Sequence, residues 1–182
     1  MNGAKVLLES LVNNGVEVCF ANPGTSEMHL VAAIGETDSI RPILCLFEGV
    51  VTGAADGYWR MSGKPAITLL HLGPGYANGM GNLHNARRAF SGIVNIVGQH
   101  AEWHLQHDSP LTSNVEGHVS LHSHSVRISK SAQDLGLAGS EAVAFARSGW
   151  GKIATIIVPA NHAWESATSA HGKIEGDDFK KI

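Results

Sequence analysis

The sequence has little of several things that would mark particular functions. Only two cysteines, Cys19 and Cys45, occur among 182 residues. Both sit inside apolar segments with no paired spacing between them. They read as small buried hydrophobes of neighbouring strands rather than metal ligands or a disulfide. Unpaired thiols of that kind fit a reducing cytoplasm. Charge is sparse as well, at 16% of residues, with 13 basic and 16 acidic side chains and a formal net charge of -3. No long basic run exists, which argues against a nucleic-acid surface. No apolar stretch approaches the ~20 residues that a helix needs to cross a bilayer. The N-terminus lacks a basic segment leading into a long apolar run, so no export signal is expected. Both familiar phosphate loops are absent: there is no G-x-x-x-x-G-K-[ST], and no G-x-G-x-x-G after the first strand. That disfavours a free-standing nucleotide-binding protein.

What is present is globular: 43% hydrophobic residues and 21 glycines, in a length that suits one domain. Short apolar runs alternate with longer segments of helical period. Helices are expected over 5–12 (stopped by Gly15), 25–35, 49–61, 77–89 and about 131–148. In the second of these, Met28, Leu30, Val31 and Ile34 are expected to face inward. Strands are expected over 16–21, 42–47, 66–70, 93–97, 126–128 and 153–158. The strand runs are continuously apolar, which favours a parallel sheet covered on both faces. The fold class is therefore α/β: three layers, with an open, mainly parallel six-stranded sheet and helices on both faces. Residues 99–122 read as loops with one or two short helices. Residues 1–164 form the domain, and 165–182 a polar tail or the start of a linker. Eleven histidines occur, several of them between His100 and His124, but their spacing matches no compact zinc motif, and no metal ligands are assigned.

Ligands of such sheets bind at the carboxyl ends of the strands, and the chemically interesting residues fall there. Glu48 follows an apolar strand and precedes Gly49-Val50-Val51. A carboxylate in that setting is costly to desolvate unless something bonds to it, and it could take part in proton transfer. It could equally be an ordinary first-turn glutamate favourable to the helix dipole. Gly73-Pro74-Gly75, followed by Asn78, Gly79 and Gly81, marks a tight turn into a helix of little bulk. That suits close approach of a flat ligand or of a packed backbone. His71, at the third strand's end, could exchange a proton in a cleft or be structural. Thr25 and Ser26 could cap the second helix or bond to a substrate, capping being the simpler role. Trp103, His104 and His107 read as a surface loop, with a lid as the alternative.

The ordered set Phe20-Ala21-Asn22-Pro23-Gly24-Thr25-Ser26-Glu27, Phe47-Glu48-Gly49, Ala54-Ala55-Asp56-Gly57-Tyr58-Trp59-Arg60, Gly63-Lys64-Pro65, and Gly73-Pro74-Gly75 with Asn78 resembles the N-terminal pyrimidine-binding domain of thiamine-diphosphate enzymes. The types it resembles are acetolactate-synthase-like large subunits and benzoylformate-decarboxylase-like proteins. The resemblance implies that Glu48 bonds to N1′ of the aminopyrimidine of thiamine diphosphate, favouring the tautomer that activates the cofactor to attack a small 2-oxo acid. It implies that Pro23, Gly24, Gly73, Gly75 and Asn78 border the cofactor. It places His71 as a proton-transferring histidine, and Thr25, with Ser26, as substrate contacts. Phe47-Glu48 stands where acetolactate synthases have His-Glu, and His71-Leu72 where they have Thr-Ser, which weighs against true acetolactate synthesis. The adjacent histidine pair of pyruvate-decarboxylase types is missing. The family also needs a diphosphate-binding domain with a Gly-Asp-Gly segment for Mg2+, and Gly176-Asp177-Asp178 is no convincing substitute. The chain is thus expected to be an incomplete half-site, inactive alone. It is expected to act with a diphosphate-binding domain or subunit, as a homodimer through the 77–89 helix, in the cytoplasm. The alternative is a non-catalytic dimerisation or regulatory module derived from that domain.

Overall fold

A computed structural model of the chain describes residues 1–170 and 172–174. Helix α1 (Gly3–Asn13) is capped by Asn2, whose side chain accepts from Lys5 N, and it ends before Gly15 at φ +78°. Then follow β1 (Val18–Asn22), a 3-10 turn (Thr25–Glu27), α2 (Met28–Gly35), β2 (Arg41–Leu44), α3 (Glu48–Ser62), β3 (Ala66–Leu70), α4 (Leu72–Arg88) and β4 (Ile93–Gln99). A second 3-10 segment (Glu102–His107), α5 (Val115–Ser120), β5 (Ser125–Ile128), α6 (Asp134–Arg147), β6 (Ile153–Pro159) and α7 (Ala160–Trp164) complete the order. All strand pairs are parallel, in the order β2-β1-β3-β4-β6-β5. The fold is thus the expected six-stranded α/β sandwich, with α7 in addition.

Alternation along the inner strands builds two cores. Cys19, Ile67, Leu69, Val94, Ile96 and Ile156 face the layer of α1, α2 and α6. Val18, Phe20, Leu70, Ile93, Val97 and Ile157 face α3, α4 and α5. Burial on both faces is why these strands read as unbroken apolar runs. A polar chain crosses the second core: Thr68 Oγ1 donates to Asn95 Oδ1 (2.7 Å), and Asn95 Nδ2 donates to Thr155 Oγ1 (3.0 Å), which meets Ser123 Oγ at 2.7 Å. The three strand residues are in register on β3, β4 and β6, so each buried group finds its partner directly.

Several expectations need correcting. The segment 42–47 is not a buried strand: β2 is an edge strand ending at Leu44, and Leu44 and Leu46 are 72% and 91% exposed. Gly73-Pro74-Gly75 is not a turn outside a helix but lies within the first turn of α4. The turn itself is made at Leu72, a fully buried residue at φ +53°, where a left-handed backbone costs a non-glycine residue about 1–2 kcal/mol. On α2, Leu30, Ala33 and Ile34 are buried, whereas Met28 is half exposed. The stretch after Trp164 begins as packed chain: Ser166 bridges to Asn2, and Ala167 N donates to Met1 O. Gly176-Asp177-Asp178 lies outside the described residues.

Candidate functional site

The connections leaving β1 and β3 run to opposite faces of the sheet, and such divergence opens a crevice at the strands' carboxyl ends. Gly24, after β1, and His71, after β3, meet there, and a side chain at position 24 would collide with the His71 ring. His71 is the N-cap residue of α4. Its Nδ1 lies 2.7 Å from Glu27 Oε2, and its side chain is 20% exposed while that of Glu27 has no exposure. Glu27 Oε2 also accepts from Gly24 N at 2.7 Å. A carboxylate on Nδ1–H places the exchangeable lone pair of the neutral ring on Nε2. Among the described residues Nε2 has no hydrogen-bond partner. Burial raises the Glu27 pKa, opposed by the Gly24 N–H and by His71. Its Oε1 is buried without a partner beside Gly98, where any side chain would overlap it.

Glu48 is the first residue of α3, after Phe47 in extended conformation. It is half-buried. Its Oε2 accepts from Asn78 Nδ2 at 3.0 Å, and its Oε1 lies 3.3 Å from where a Cβ on Gly75 would stand. That same point is 3.3 Å from His71 Cβ, so Gly75 separates the two candidate proton carriers. Close packing of α3 on α4 brings this about. Thr52 Oγ1 donates to Gly79 O (3.0 Å) and Asn82 Nδ2 to Gly49 O (2.7 Å), while a Cβ at Gly79 would come within 2.7 Å of the Thr52 methyl. Glu48 is thus a first-turn helix glutamate whose half-buried carboxylate leaves Oε1 without a hydrogen-bond partner among the described residues. That unpaired acceptor suits a ring nitrogen of an aminopyrimidine that shares a proton, and the absence of a Cβ at Gly75, which would stand 3.3 Å from Oε1, keeps the oxygen uncrowded on that side.

Of the other expected residues, Pro23 follows β1 and borders a separate apolar depression with Val31 and Leu44. Gly73 faces Ser113, where a side chain would overlap the hydroxyl. Thr25 and Ser26 do not cap: the 3-10 turn is closed by the Glu27 carboxylate reaching back to Gly24 N, and no side-chain cap bond serves α2. Both instead line a cleft with His100, Trp103 and His104. The 3-10 segment carrying Trp103 and His104 is thus a wall of that cleft rather than a free surface loop. Glu27 was missed as a site residue. Its signal was the Gly-x-x-Glu spacing of a reach-back cap, which gives no hint of the histidine bonded to it. Among the described residues no group of three His, Cys, Asp or Glu could hold a metal ion, and no helix is long and apolar enough to cross a membrane. Cys19 and Cys45 are free and buried, and burial, with Cys45 nearby, pushes the Cys19 thiol up to about 12.

Residues 1–124 match the family model described as thiamine pyrophosphate enzyme, N-terminal TPP binding domain. The acetolactate synthase large subunit-type protein IlvX of Mycobacterium tuberculosis is 52% identical over 170 residues, covering 93% of this chain and 33% of that protein. Benzoylformate decarboxylase of Pseudomonas aeruginosa is 42% identical over 91 residues, covering 50% of this chain and 17% of that protein. In fold, the chain superposes on the thiamine diphosphate-dependent 4-hydroxybenzoylformate decarboxylase of Rhodococcus jostii RHA1 with a TM-score of 0.84 at 24% identity, covering 92% of this chain and 32% of that one. The chain spans about a third of the length of IlvX and of that solved structure.

Proposed function

Since the chain belongs to the family of thiamine pyrophosphate enzyme N-terminal TPP-binding domains, we propose that it supplies the aminopyrimidine-binding half of a site acting on a 2-oxo acid, by decarboxylation or carboligation. The observation that carries this reading is the Glu48 carboxylate, held by Asn78 at one oxygen and without a hydrogen-bond partner among the described residues at the other. Glu48 would hold a proton shared with a ring nitrogen of the aminopyrimidine, a charge-assisted bond that strengthens once another domain covers the site and excludes water. Asn78 fixes the carboxylate's direction, and Gly24 and Gly75 keep the approach free of side chains. Bound thiamine diphosphate supplies the electron sink for breaking a bond to the carbonyl carbon of the acid. His71 would move a proton to or from the substrate through Nε2, with Glu27 fixing its tautomer. Thr25 offers a hydroxyl to the substrate's carboxylate.

A diphosphate-binding domain, in this or another chain, completes the site and brings Mg2+. Leu46, Phe47 and Val50, exposed around Glu48, suit a surface that another domain covers. The solvent face of α4, with Ala77, Gly81 and Asn85, is small and polar. It admits close approach of a second copy in a twofold dimer. Two free thiols fit the reducing cytoplasm.

The test is Glu48→Gln, which keeps shape and removes the carboxylate. In the chain completed by a diphosphate-binding domain, 2-oxo acid consumption should fall about 10²–10³-fold, with the far-ultraviolet spectrum unchanged. A dimerisation or regulatory module would be indifferent to the substitution.

A further inference from the structure

A second cleft opens on the same edge of the sheet. After β4 the chain passes to α5, packed on α4, and after β6 to α7, packed on α1 and α2. This is a second divergence of connections, with its own crevice at the strand ends. Here lies an open cleft of ≈ 290 Å³, lined by His100 and Ala160 at the strand ends, Thr25 of the first 3-10 turn, and Trp103, His104 and Trp164.

Its walls are flat rings. Trp103 and Trp164 meet edge to face with centroids 5.9 Å apart, and His100 and His104 at 5.4 Å. The two indoles are nevertheless 57% and 40% exposed. Isolated exposed apolar groups are ordinary, but adjoining indoles on the rim of a concavity mark a binding surface. The wall is also fastened in place. Glu102 N donates to Asn161 Oδ1 (3.2 Å), Asn161 Nδ2 donates back to Glu102 Oε2 (3.2 Å), and buried His162 sets its Nε2 3.2 Å from the same oxygen. His162 is held in turn by Ser129 Oγ at its Nδ1, 2.9 Å away. Burial, then His104 and His71, lower the His100 pKa, so its ring is a neutral aromatic surface at neutral pH. Thr25, on the lining, directly follows Gly24, which packs against the His71 ring, so the cleft lies next to the site of proton transfer.

We propose that this cleft holds the aryl side chain of an aromatic 2-oxo acid, and that Trp103 and Trp164 are its specificity-determining residues. The assignment rests on the 2-oxo acid reading given above. Rings pack on rings at centroid distances of ~4.5–7 Å, with a gain beyond area burial. A methyl side chain would leave most of the cleft empty.

The test uses the whole chain labelled with nitrogen-15 and follows the indole N–H signals of its four tryptophans. Phenylglyoxylate should shift those of Trp103 and Trp164 saturably and leave Trp59 and Trp150 in place. Pyruvate should act about tenfold more weakly, and Trp103→Leu, read at Trp164, should weaken phenylglyoxylate by about tenfold. Trp103 is exposed, so the variant should fold. Equal responses to the two acids, a parallel shift at Trp150, or a Trp103→Leu variant that binds as before would each overturn the proposal. Thiamine diphosphate, titrated separately and followed at the Asn78 side-chain amide, reads the cofactor assignment alone, so failure of one reading is told apart from failure of the other.

Discussion

Glu27 has no exposed surface, yet it carries a carboxylate with two donors on one oxygen and none on the other. Desolvation raises its pKa above the ordinary value near 4.5, against the pull of Gly24 N–H and His71. The folded protein therefore keeps this proton over a pH range in which the unfolded chain has lost it. The resulting stability is fully present below about pH 4.5 and is lost as pH rises through the folded-state pKa. Glu27→Gln keeps the shape and cannot ionise, so its unfolding free energy should vary less with pH than the wild type's as pH rises above about 4.5. Urea denaturation at a series of pH values checks this, and an unchanged slope would assign the effect to another group. Glu48 stood out in the sequence because a lone carboxylate among apolar residues is conspicuous, although only the resemblance gave it a role beyond that of a first-turn glutamate. Glu27 was not, because an acid near a helix start is the commonest of signals. Its burial depends on His71 and Gly98, which approach only in the folded sheet. Thr25 and Ser26 misled for the same reason: both can cap, and the sequence does not say that Glu27 already does.

Strands and helices were more legible than single side chains, since a period repeated over many residues outweighs any one of them. The run β3 fell on 66–70 as expected. The run 42–47 failed informatively: an apolar stretch says that something covers it, not that the cover lies in this part of the chain. For the glycines of α4, of the two close approaches expected the packed one holds: Gly79 admits Thr52 of α3, and Gly73 the Ser113 side chain. The polar chain Thr68–Asn95–Thr155 could not be seen without strand register, since each residue alone looks like an imperfection in an apolar strand. Asn95 has no exposed surface and is its central link. Asn95→Ala removes both bonds, leaving the buried Thr68 hydroxyl without its acceptor and Thr155 with Ser123 alone, so the protein should lose about 2 kcal/mol of stability. Thermal and urea unfolding of the variant measure it. A loss below about 0.5 kcal/mol, the range of surface substitutions, would mean that the neighbouring hydroxyls satisfy one another.

Taken whole, the chain presents its candidate chemistry on a single edge of the sheet, with Glu48, His71 and Thr25 all at or just beyond strand carboxyl ends. What lies opposite that edge determines whether it turns over substrate. Leu46 at 91% exposure and Phe47 at 51% stand directly before Glu48, and an apolar rim around a half-buried carboxylate is a surface to be covered rather than one adapted to water. The chain with thiamine diphosphate and Mg2+ should therefore consume no 2-oxo acid above background. A diphosphate-binding domain, fused after residue 182 or added as a separate protein, should start turnover. Leu46→Asp should lower that restored rate by about tenfold at limiting partner concentration, and saturating partner should recover it. The substitution acts on association and leaves Glu48 in place. Carbon dioxide release follows all three arms. Turnover by the chain alone would show that the edge is complete as it stands. A loss in Leu46→Asp that no excess of partner restores would place Leu46 in the reaction itself, not in the interface.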